Sequence, residues 1–166
     1  MFTLTDYYEM IEKDRALYFK LFKLVDEEVF HKSYEENTWS AELIFRHLLS
    51  TLNWFKNLIP NLDYKDTELG FKYGTPPDNT VSLKDLEEEF QRISTAVRKG
   101  IEKMTPEEQE EELDSGFGPK PRNKAIAGLL HHESNHLGQV TWIFKRITGW
   151  TDQDIREKLY GVKPQD

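Results

Sequence analysis

Residues 131–136, His-His-Glu-Ser-Asn-His, place three of the chain's five histidines and one glutamate in six positions. Imidazole and carboxylate are ligands for borderline divalent cations such as zinc, and their spacing decides which of them can act on one ion. Read from His132, the string is H-E-x-x-H: two histidines one helical turn apart that can hold zinc, with a glutamate between them that can serve as general base. The chain has no cysteine. Any metal site must therefore use histidine, carboxylate or water, and no thiol of the protein's own can act as a nucleophile.

What these residues can do depends on the element that carries them. Asn123 is expected to cap a long helix running from Lys124 to about Thr148, with Gly149 ending it. Successive residues of a helix are about 100° apart, so Ile126, Leu129, Leu130, Leu137, Val140, Ile143, Phe144 and Ile147 form an apolar arc of roughly 140°. His136 falls inside that arc, and His132, about 40° away, falls at its edge. His131 points to the opposite side. Two imidazoles stacked at i, i+4 toward a core each need a partner and repel each other when charged, and one divalent cation satisfies both. Glu133 lies near the middle of the arc and is a candidate for a general base or for a carboxylate that supports the ligands. Gln139 is a second candidate for such support.

A catalytic metal needs a third protein ligand, and two are available. His47 lies in a helix expected to start near Trp39-Ser40, capped by Ser40 or Thr38, and to end at Pro60. It shares a side with Leu43, Thr51, Trp54 and Leu58 and faces the core, so His47, His132 and His136 could form a three-histidine site with open positions. Trp54, two turns beyond His47, is expected in the core and is also a candidate for a pocket wall. The alternative ligand is Glu157, at a distance from the motif used by some H-E-x-x-H zinc proteases. Those enzymes bind substrate along a sheet edge in a cleft, which a strandless chain of this length does not supply.

The remaining elements are helical by the period of their apolar residues, and no segment alternates as a strand would. A first helix is expected from about Thr5 to Phe30, with Tyr8, Ile11, Ala16, Phe19, Phe22 and Leu24 on its stripe. A third long helix carries Leu83, Leu86, Phe90, Ile93, Val97, Ile101 and Met104 at spacings of three and four. Thr105, Pro106 and Glu108 form a capping box that starts a short helix, whose run EEQEEEL reads as a solvated face. SGFGPKPRN reads as a loop, His31 as a surface loop residue, and Asp152–Tyr160 as a last short helix. The expected fold is all-α: one domain over residues 1–166, a four-helix bundle with long inter-helix connections and short extra helices.

Composition narrows the partners. With 22 basic against 30 acidic residues the formal charge is −8, and there is no basic run, which argues against nucleic acid. No stretch reaches the roughly 20 apolar residues of a membrane span, and the N-terminus lacks the apolar core of a signal peptide. A soluble, cytoplasmic protein with no membrane partner is expected. Aromatic residues from the first helix or the region around Trp150 could form a homodimer interface.

Taken together, Trp39-Ser40, His47 and the string His132-x-x-x-His136-x-Gly138-Gln139 resemble, in order and spacing over nearly the whole chain, the DinB-like (YfiT-like) superfamily of metalloenzymes. The resemblance implies a four-helix bundle, a site in which His47, His132 and His136 bind a divalent metal, zinc or nickel, and frequently a homodimer. It also implies a small-molecule substrate. Members that use low-molecular-weight thiols of the bacillithiol type make a metal-dependent S-transferase the leading expectation, ahead of a metal-dependent hydrolase or a non-catalytic metal-binding bundle. Leu137 departs from the pattern, since many members carry a basic residue there.

Overall fold

The computed structural model describes residues 3–71, 74–116 and 118–162. Its long helices are α1 (Leu4–Phe22), α3 (Ala41–Leu52), α5 (Leu83–Lys103) and α7 (Arg122–Thr148). Shorter helices are α2 (Glu28–His31), α4 (Phe55–Leu58), α6 (Pro106–Glu110) and α8 (Asp152–Tyr160), and two short strands are β1 (Glu112–Asp114) and β2 (Pro119–Pro121). Both α1 and α3 pack on α5 and α7, closing a four-helix, all-α bundle around one core. Among the described residues no helix is long and apolar enough to cross a membrane.

Local sequence explains most helix ends. Ser40, Ser82 and Thr105 each accept a backbone N–H at the start of a helix, and Thr105 with Glu108 forms the expected capping box. Gly149 ends α7 with φ of 73°, a left-handed conformation that glycine adopts without steric cost. The stripe Leu83–Met104 of α5 is buried as its spacing predicts.

The structure departs from the expected elements at several points. The first helix stops at Phe22 instead of reaching Phe30, and Leu24 is exposed. The chain turns so that Phe30 folds back onto Phe22, ring centroids 5.0 Å apart; in a continuous helix those residues would be separated by a rise of about 12 Å. The stripe of α1 passes through Arg15, so Ala16 is exposed. The second helix breaks at Asn53-Trp54, where tighter i to i+3 bonds lead into α4. The short helix expected over EEQEEEL ends at Glu110, and Glu112–Asp114 instead pairs as an antiparallel strand with Pro119–Pro121 from the expected loop, Leu113 opposite Lys120. This hairpin delivers Pro121, not Asn123, as the residue before α7, while Asn123 donates to Glu110 Oε1 at 2.6 Å.

The long connection 59–82 is fastened to α3 by a buried charged pair. Arg46 donates to Leu69 O (2.8 Å), Asn79 O (2.6 Å) and Glu42 Oε1 (3.0 Å), and Glu42 Oε1 also accepts the Val81 N–H at 2.9 Å. Ser50 Oγ donates to Phe71 O at 2.8 Å. Gly70 is needed at this crossing, because a Cβ there would collide with Ser50 Oγ. The connection thereby brings Phe71 against Trp39, centroids 5.4 Å apart, and Trp39 in turn lies 5.4 Å from the His47 ring. His31 is no isolated surface residue: it ends α2 with Nδ1 3.3 Å from Glu42 Oε2.

Candidate metal centre

Two helices supply the site. His47 projects from the middle of α3 and is buried, while His132 and His136, one turn apart on α7, are half-buried. Among the described residues these three form the group of potential ligands whose donor atoms all lie within 4.8 Å of one another. Their Nε2 atoms face each other, at 3.4 Å between His47 and His132 and 3.2 Å between His136 and His132. Two nitrogens bound to one zinc at 2.0–2.1 Å with a tetrahedral angle would be about 3.3 Å apart. These two separations match those of nitrogens sharing one zinc ion.

The protonation states agree with that reading. His136 Nδ1 lies 2.7 Å from Gln139 Oε1. With the amide oxygen accepting, the ring proton is held on Nδ1 and the Nε2 lone pair points into the cluster. His132 Nδ1 is buried with no hydrogen-bond partner. Burial first, and then the neighbouring His136 and His132, push His47 down from 6.5 to about 4. Burial and His136 likewise lower His132. Neutral imidazoles are the form that binds a metal. Several lone pairs converging on one point, with protonation of His47 and His132 disfavoured, fit a divalent cation as the group that satisfies them.

The other candidates separate cleanly. His131 is exposed on the far side of α7, as its helical phase predicts. Glu157 is exposed on α8 and lies outside the cluster. Glu133 is buried and turned away from the histidines toward α1, where Arg15 Nε and Nη2 donate to its two carboxylate oxygens at 2.6 and 2.9 Å. Arg15 also donates to Ser94 Oγ and lies 4.7 Å over the Phe90 ring. Burial alone would lower the Arg15 pKa, but the Glu133 carboxylate raises it above its ordinary value. Glu133 is therefore a structural ion-pair partner in the core and is not poised to act as a base at a metal.

Beside His47 and His132 opens a cavity of about 340 Å³, lined also by Thr51, Trp54, Leu58 and Leu129. Trp54 is 45% exposed and belongs to this wall, not to the core. The hairpin supplies another wall through Ser115 and Lys120. This wall was invisible to a reading that took residues 115–123 as loop. Arg15 was also missed, although it occupies the apolar stripe Tyr8, Ile11, Phe19, Phe22 at helical spacing, which is the signal of a buried and paired charge.

The model of the DinB superfamily matches residues 10–140. The chain belongs to the DinB superfamily. Solved structures show the same fold: a DinB-like protein from Bacillus cereus ATCC 10987 is 19% identical with a TM-score of 0.67, covering 91% of this chain and 97% of that one. A DinB-like protein from Bacillus subtilis is 18% identical with a TM-score of 0.61, covering 88% of this chain and 94% of that one. No curated protein matches the chain. As a DinB-superfamily bundle, the chain carries a three-histidine group able to hold a metal ion.

Proposed function

We propose that this DinB-superfamily protein is a metal-dependent S-transferase, in which His47, His132 and His136 hold a zinc or nickel ion and a low-molecular-weight thiol attacks a small electrophile. The observation that carries the reading is the placement of the three-histidine cluster at the edge of a largely apolar cavity with no carboxylate among the described residues that line it. A divalent cation with an open position supplies a positive charge that favours a thiolate over its thiol.

The chain's own residues do the rest. Gln139 orients His136, and the rings of Trp39 and Phe71 lie against His47. The apolar wall of Leu58 and Leu129 receives the body of the substrate and excludes competing water. In the transfer, the thiol proton passes to solvent, a carbon–sulfur bond forms, and the bond to the leaving group breaks with its electron pair leaving on that group. A thiol with a pKa of about 8.5 needs only a small shift to ionise at neutral pH, whereas water starts near 15.7. Hydrolysis would gain from a nearby base, and Glu133, the carboxylate next in sequence to His132, is committed to Arg15. The lack of a carboxylate among the described residues of the cavity therefore favours transfer from a thiol.

The test is metal analysis of the purified protein followed by a screen of several low-molecular-weight thiols against a chromogenic aryl halide. Thiol consumption is expected only with zinc or nickel bound, to be lost in His47→Ala and His132→Ala, and to persist in His131→Ala. Equal rates with and without metal would overturn the proposal.

A further inference from the structure

The cavity differs in charge from the rest of the molecule. The chain has a net charge of −8, yet among the described residues no acid lines the cavity, while Lys120 and Lys124 both do. Lys124 is exposed, stands in the first turn of α7, and has no carboxylate partner among the described residues. That turn contains no acid at all. A cation at the positive end of a 27-residue helix opposes the helix dipole, so local helix stability does not account for it.

A second observation comes from Gly128. Lys124, Gly128 and His132 are four residues apart along one stripe of α7, and all three line the cavity. A Cβ at Gly128 would meet nothing within 4 Å. No close packing therefore demands glycine there, and backbone entropy disfavours glycine in a helix interior. Its effect is to leave bare backbone on the cavity floor. Opposite stands Trp54, with the hairpin turn over it: a Cβ on Gly116 would be 3.7 Å from the Trp54 ring. From Lys124 to His132 the helix rises about 12 Å.

We infer that this cavity seats an elongated small molecule whose anionic end, a carboxylate or phosphate, is held by Lys120 and Lys124, and whose apolar body lies over Gly128 against Trp54. Its other end reaches the histidine cluster at His47 and His132. The inference rests on the metal-dependent reading only for that last contact. Lys120 and Lys124 select substrates by charge, and Gly128 sets the width of the channel between them and the histidines.

The test uses zinc-loaded protein and three probes that share one apolar body: 4-phenylbutyrate, 4-phenylbutyl phosphate and the neutral 4-phenylbutan-1-ol. Tryptophan fluorescence follows each titration, with Trp54→Phe identifying the reporter. At least one anion is expected to bind roughly tenfold or more tightly than the alcohol, the effect of a partly screened charge-assisted hydrogen bond. Which anion does so identifies the head group. Lys124→Gln should remove most of the preference, and Gly128→Leu should abolish binding of every probe while leaving zinc content and thermal midpoint undiminished. Equal affinity for alcohol and both anions overturns the inference. So does a preference that survives in the Lys120→Gln/Lys124→Gln double variant, since the anion would then be on the metal. Zinc binding without anion preference defeats this inference alone; anion preference in a protein that holds no zinc supports it and defeats the metal-dependent reading alone.

Discussion

Glu133→Gln offers the sharpest perturbation, because it separates two uses of the H-E-x-x-H string. The carboxylate and the Arg15 guanidinium are joined by two hydrogen bonds of 2.6 and 2.9 Å, with side-chain exposures of 3% and 4%. Glutamine keeps the shape, but its amide NH₂ must face a guanidinium N–H, donor against donor, and the arginine charge is left buried without a counter-ion. Breaking a buried pair by removing one partner costs about 3–5 kcal/mol. Solvent screening does not reduce that figure much at these exposures. For a chain of this length each kcal/mol shifts the thermal midpoint by roughly 2–4 °C, so a fall of about 6–20 °C is expected. Zinc affinity measured by equilibrium dialysis well below the new midpoint should stay within about threefold of wild type, since the carboxylate faces α1 and not the histidines. Replacing both partners, Arg15→Met with Glu133→Met, should recover much of the loss, because no uncompensated charge remains. A midpoint lowered by less than about 2 °C would refute the energetic reasoning. Zinc lost at an unchanged midpoint would instead put Glu133 at the metal.

Three further outcomes are expected. Gln139→Ala should weaken zinc binding about 10–100-fold, by releasing the His136 ring, with little change in the thermal midpoint because Gln139 is exposed. In metal-free protein the His47 pKa is about 4 when folded against 6.5 for the free side chain. Between those values the unfolded chain binds the extra proton, so the urea midpoint should fall as pH drops from 6.5 to 4, and should fall less in His47→Asn. Gly70→Ala should destabilise by about 1–3 kcal/mol in urea melts, as expected for overpacking, since its Cβ would press on Ser50 Oγ and lie 3.1 Å from the Ser50 backbone nitrogen.

The helices and the histidine cluster were legible in the sequence for a shared reason: both are written in the 3.6-residue period. The spacing of Leu83, Leu86, Phe90, Ile93 and Val97 marks the buried face of α5, and the same rule puts His132 with His136 and sends His131 to solvent. Capping chemistry is equally local, which is why Ser40, Thr105 and Gly149 mark real helix ends. The third histidine of the cluster was legible because His47 lies on the core-facing stripe of its own helix.

Tertiary structure decided what periodicity does not encode. Glu133 sits between the two α7 histidines in sequence, and only the packing of α1 against α7 gives it to Arg15. The turn after Phe22 lets Phe30 cover Phe22, a contact that a continuous helix could not make. The cavity was least visible. It is a gap between α3, α7 and a hairpin whose strands are three residues each, too short to show alternation. An unfilled volume has no side chain of its own, so its outline is fixed only when walls distant in sequence, Trp54, Lys120 and Gly128 among them, are brought face to face.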